Sequence, residues 1–150
     1  DFGSLDEYAG WMQEKLRWRA DRFAGLLDAF PTLGHMAWQL KERGFAADDC
    51  DGLAYFSAAV VKRFADDPKD VYIVTMVLDP RKVPIVMAAH VVCIFRIGGS
   101  WRVISNNELF SPRYATFDEA VRENPYAQHK PVRLVEVRDA KLRRVKPPAD

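Results

Sequence analysis

The stretch "DDPKDVYIVTMVL", residues 66–78, is where the chain changes character. Upstream of it, apolar residues recur with the 3.6-residue period of a helix. Downstream they come in short runs rich in β-branched side chains, as in strands. The turn formers Asp66, Asp67 and Pro68 separate the two regimes. "VYIVTMVL" (71–78), "MAAHVVCIFRI" (87–97) and "WRVIS" (101–105) read as strands, and Gly98, Gly99 and Ser100 join the last two as a hairpin. Helices first and an antiparallel sheet second make α+β the expected fold class.

Toward the N-terminus, Leu5, Tyr8, Ala9, Met12, Leu16, Phe23, Leu26, Leu27 and Phe30 keep the helical period until Pro31, which predicts one long amphipathic helix. Trp11 and Trp18 lie on another stripe of it, either packed under a neighbouring segment or open to a protein partner. Thr32 can cap a second helix through Met36 and Leu40 to Arg43, with Gly44 as its stop. Asp48 or Asp49 can cap a third, whose apolar stripe carries Cys50, Leu53, Ala54, Val60, Val61 and Phe64. Toward the C-terminus, "TFDEAVREN" (116–124) predicts a short helix ended by Pro125. "PVRLVEVR" (131–138) and "KLRRVK" (141–146) predict a further hairpin around Asp139 and Ala140.

With 150 residues and 49% hydrophobic side chains, the chain suits one domain over 1–150, in which 1–31 is an additional helix. Such a domain buries ~70% of its unfolded surface and needs no disulfide staples. Twenty-two basic residues against twenty-one acidic ones leave a net charge of +1, so no bulk field argues for nucleic acid. The basic tail on a strand edge suits solubility better than phosphate binding. No nucleic-acid partner is expected. No apolar run reaches the ~18 residues of a membrane span. The chain begins with Asp1, so a removed leader or a larger parent stays open: the expected compartment is cytoplasmic by default, secreted or periplasmic if a leader was lost. Two cysteines, Cys50 and Cys93, exclude a disulfide framework and a cysteine-rich zinc site, and no metal or cofactor is expected.

The chemistry concentrates around Cys50. A nucleophilic thiol needs a helix N-terminus or a cation, a base, and a group that orients the base. Cys50 sits at a helix start, although the neighbouring Asp48, Asp49 and Asp51 oppose its ionisation. His90 lies inside an otherwise apolar strand, where an imidazole is costly unless hydrogen-bonded. Strand alternation puts His90, Val92 and Ile94 on one face and Val91, Cys93 and Phe95 on the other, which removes Cys93 from the site and leaves the two cysteines unbridged. A three-residue loop at Gly98–Ser100 pairs Ile97 with Trp101 and sets Val92 opposite Asn106, so Asn106 shares the face of His90. A two-residue loop would break that arrangement.

The run "DDCDGLA" before a helix, then "HVVCIF" and "WRVIS-N" on successive strands, resembles the transglutaminase-like branch of the papain-like cysteine enzymes, and in particular its compact bacterial members. Asp49, Cys50 and Asp51 match the surroundings of that family's nucleophile, and the resemblance covers about residues 35–123. The third position of the branch is more often aspartate, and Asn106 is similar to papain instead. The resemblance implies a helix bearing Cys50 packed on an antiparallel sheet that carries His90 and Asn106. The implied activity is hydrolysis or acyl transfer at amide bonds of a protein or peptide through a thioester, with peptidase chemistry favoured over cross-linking. Oxyanion donors would be the Cys50 N–H and an upstream side chain, Gln39 or Trp38. The rival reading is a catalytically inactive interaction module of the same fold.

Overall fold

The computed structural model describes residues 1–19, 33–79, 81–83 and 88–149. Helix α1 (Leu5–Lys15) starts at Ser4, whose hydroxyl accepts from the Glu7 N–H at 3.1 Å. It ends earlier than its periodicity predicts. Leu16 turns extended, and β1 (Leu16–Trp18) pairs in parallel with β2 (Ala46–Asp48). Leu16 stays in the core in either conformation, so the apolar period runs on past the true helix end while a non-local backbone pairing decides the geometry. The rest of the expected helix, with Phe23 to Phe30 and the Thr32 cap, lies outside the described residues. Trp11 and Trp18 therefore do not share a helical face. The Trp11 ring packs on Phe2 and Phe56 at 5.1 and 5.9 Å, whereas Trp18 is exposed on β1.

Helix α2 (Leu33–Arg43) stops at Gly44, whose φ of 75° is the left-handed geometry of a helix C-terminal stop. Helix α3 (Cys50–Val61) is capped by Asp49, whose carboxylate accepts from the Gly52 N–H at 3.1 Å. Then come β3 (Val71–Leu78), β4 (Ala89–Ile97), β5 (Ser100–Ser105), β6 (Glu108–Leu109), α4 (Phe117–Glu123) and β7 (Val132–Asp139). The five longer-range strands form an antiparallel sheet in the order β6-β5-β4-β3-β7. The fold is α+β.

Alternation gives the sheet two apolar faces. Ile73, Val91, Cys93, Phe95 and Ile104 meet Tyr8 and Met12 of α1 and Leu53, Ala54, Ala58 and Val61 of α3. Val74, Met76, Val92, Ile94, Trp101 and Val103 meet Phe117, Ala120 and Val121 of α4. At ~25 cal/mol per Å² of apolar area, these two faces supply most of the drive to fold.

The β4–β5 hairpin departs from the three-residue loop. Ile97 pairs with Ser100, so only Gly98 and Gly99 make the turn. Their φ values of 59° and 77° are the two consecutive left-handed residues of a type I′ turn, and their N–H groups both donate to the Asp66 carboxylate, at 2.7 and 2.8 Å. The register moves by one residue, and Val92 faces Ser105 rather than Asn106.

Candidate functional site

Cys50 is the first residue of α3 and is half buried on the α1/α3 side of the sheet. His90 belongs to the other face, where it lies opposite Met76. The two faces come closest to sharing a neighbour at the end of β4, where Tyr126 lies against the His90 ring and also interacts with Cys50. That end is open because β5 leaves early: the β4–β5 ladder stops at Val92–Ser105, whereas β4 continues to Ala89. Leu78 N donates to Ala88 O and Arg96 N to Asp70 O, so even-numbered residues of β4 turn their backbone groups to β3 and odd-numbered ones to the β5 side. The Val91 N–H thus points past the end of β5, and it interacts with the Cys50 sulfur.

The His90 imidazole is buried and held at two places. Nε2 shares a hydrogen bond with Ser105 Oγ at 2.8 Å, and the ring lies 4.2 Å from the Tyr126 ring, centroid to centroid, tilted by 36°. Tyr126 also neighbours Cys50, whose charge helps to raise its phenol pKa after burial has done so. Its position comes from Asn124, fully buried at the end of α4. The Asn124 side-chain oxygen accepts from the Tyr126 and Ala127 N–H groups at 3.0 and 3.2 Å, while its nitrogen donates to Ala120 and Val121 carbonyls at 2.9 and 2.8 Å and to Met76 Sδ at 3.5 Å.

No hydrogen bond joins Cys50 to His90. The Cys50 thiol donates to Asp51 Oδ1 at 3.6 Å. Burial pushes that thiol up to about 12, the Asp51 and Asp49 carboxylates push the same way, and the Val91 N–H opposes them. Burial also brings His90 down to about 4. At neutral pH both the Cys50 thiol and the His90 imidazole are neutral.

The remaining expected residues fall elsewhere. Asn106 has a φ of 52° at the turn after β5 and its buried Oδ1 has no hydrogen-bond partner; the one-residue register change gives Ser105 the contact with His90 that Asn106 was expected to make. Gln39 is buried, but its amide is spent on the backbone of Ala47, donating to the carbonyl at 3.3 Å and accepting from the N–H at 3.1 Å. Trp38 stacks on His35 at the exposed side of α2, under the Arg43 guanidinium. Neither side chain hydrogen-bonds the Cys50 sulfur, whose side-chain partner is Asp51. Among the described residues, no three His, Cys, Asp or Glu side chains converge to hold a metal ion, and no helix is long and apolar enough to cross a membrane.

No family model, curated protein or solved structure matches this chain. The site is therefore read from its own geometry. Ser105, the Val91 N–H and Tyr126 are the members that sequence reasoning missed. Gly98-Gly99, the dipeptide signature of a two-residue turn, could have found Ser105. Nothing local marks Tyr126, because its place depends on how the turn after α4 docks on the sheet.

Proposed function

We propose that the protein is a cysteine hydrolase or acyltransferase acting on amide bonds of a protein or peptide, most simply a peptidase, built on a transglutaminase-like core. One observation carries this reading: the first turn of α3 sets the Cys50 sulfur against the Val91 N–H that β5 leaves unpaired, while Tyr126 neighbours both Cys50 and an imidazole anchored to Ser105 at 2.8 Å. In the reaction the Cys50 sulfur attacks the amide carbonyl while His90 takes the thiol proton and passes it to the leaving amine. The C–N bond breaks, a thioester forms, and water or a second amine releases the acyl group. Ser105 orients the ring, and the N–H groups of Cys50 and Val91 are the donors nearest the developing oxyanion. In the tautomer whose Nε2–H donates to Ser105, Nδ1 is the nitrogen left to act as base.

A second reading is favoured by a specific observation. A thiol pushed up to about 12 and an imidazole brought down to about 4, with no hydrogen bond between them, suit an inactive interaction module. Iodoacetamide labelling of Cys50 from pH 5 to 9 separates the two, with circular dichroism as the folding control and Cys50→Ser as the background. An unassisted thiol so far below its pKa labels tenfold faster per pH unit. Labelling assisted by neutral His90 is nearly level across that range, because the imidazole is already deprotonated above its pKa of about 4. His90→Ala should turn the level profile into the sloping one. Identical profiles in two folded proteins would decide for the inactive module.

A further inference from the structure

An imidazole on a strand retains rotation about its side-chain torsions, and a base that swings out of line loses its value: misplacement by about an ångström costs about a hundredfold in rate. Ser105 fixes only one end of His90. The second restraint is the Tyr126 ring, 4.2 Å away, and the turn carrying it is unusually well tied. Asn124 holds its N–H from below, and Lys130 Nζ donates to the Tyr126 carbonyl at 2.9 Å while lying 5.2 Å from the ring centroid. Ala127 N and Gln128 N both donate to the Asn124 carbonyl, at 3.0 and 2.8 Å, closing the turn. The backbone on either side of the ring is thus fixed by Asn124 and Lys130.

We propose that Tyr126 is a positioning residue for His90: its ring clamps the imidazole by the face while Ser105 holds Nε2, which leaves Nδ1 turned to the side of the site that Cys50 occupies. The inference rests on the cysteine-enzyme reading. The titratable group against the imidazole is Tyr126, with Lys130 beyond its ring; Cys50, flanked by Asp49 and Asp51 on α3, neighbours Tyr126 from the other side. From β3 and β5 it meets Met76 and Ser105, which carry no charge. The clamping contact is the ring, 4.2 Å from the imidazole centroid to centroid.

The test compares Tyr126→Leu with Tyr126→Phe in the full chain. In the leucine variant, Cys50 labelling at pH 6 should fall by about tenfold or more and its pH profile should become sloping. The phenylalanine variant should restore the level profile. A leucine variant with the native profile, or one that labels faster at every pH, would overturn the proposal, the latter because the ring would be only a cover. A measurement on the native protein stands even if the leucine variant does not fold. Nitrogen-15 spectra should show His90 as the Nε2–H tautomer with ring protons shifted by the Tyr126 ring current, and an Nδ1–H tautomer would overturn the assignment. If His90→Ala leaves the native labelling profile unchanged, the catalytic pair fails whatever Tyr126 does. If His90 matters and Tyr126→Leu does not, only the positioning role fails.

Discussion

A buried side-chain amide left without partners costs ~1–3 kcal/mol for each group stranded, so Asn124, with every donor and acceptor engaged, is where a small change should have a large effect. Asn124→Ala should destabilise the protein by about 2–4 kcal/mol. Urea unfolding with an unchanged slope is the measurement, and a loss under 1 kcal/mol would show that the turn finds other partners. At Cys50 the relevant neighbour is Asp51, which accepts from the thiol and raises its pKa. Removing that negative charge favours the thiolate. Asp51→Asn should therefore lower the thiol pKa from about 12 and speed labelling at pH 8, including in a His90→Ala background. Labelling that slows would mean that the carboxylate assists proton removal instead.

The elements explain what was legible in the sequence and what was not. Val71–Leu78 reads as a strand and is one, and Thr116 caps Phe117–Glu123 with its hydroxyl on the Glu119 N–H, because alternation and capping are local signals. The α+β order, the Asp49 cap and the two faces of β4 were legible for the same reason. The end of α1 was not. Leu16 continues the helical period, yet its backbone pairs with Ala46 from a distant part of the chain, and no local signal announces such pairing. The hairpin register turned on whether Ser100 belonged to the loop or to the strand, and that one residue decided whether Asn106 or Ser105 reached His90. The turn itself can be tested. Gly99→Ala places a side chain at φ 77° with open space around it, so the cost is conformational only, about 1–2 kcal/mol. A neutral result in chemical denaturation would show that the turn relaxes to another type.

At the scale of the whole molecule, buried titratable groups set a pH window. Folded His90 keeps its proton off until about pH 4, whereas the unfolded chain takes one up near 6.5. The unfolded state then binds more protons between those values, and stability falls as pH drops through them, by about 3 kcal/mol for this group. Asp79 adds to the acid limb below that range, because Arg81 and Arg133 hold its carboxyl well below the usual value. On the alkaline side Cys50, Cys93 and Tyr8 stay protonated in the fold through burial, so stability present at neutral pH is lost as the unfolded thiols begin to ionise near 9. The urea midpoint should be highest between pH 6.5 and 9, and His90→Gln should flatten the decline between pH 6.5 and 4. An acid limb unchanged in that variant would assign it to the carboxylates alone.

The early departure of β5 has a further consequence in hydrogen exchange. β4 is the central strand, with its even-numbered amides bonded to β3 and its odd-numbered ones facing β5. His90, Val92, Cys93 and Ile94 amides should exchange only on large-scale opening, whereas the Val91 amide, facing a sulfur instead of a carbonyl, should exchange through small local fluctuations. One fast amide within a run of slow ones would then act as a built-in gauge of the cysteine. Its protection should change when Cys50 is alkylated and stay as it is when the hairpin tip far along the same strand is altered.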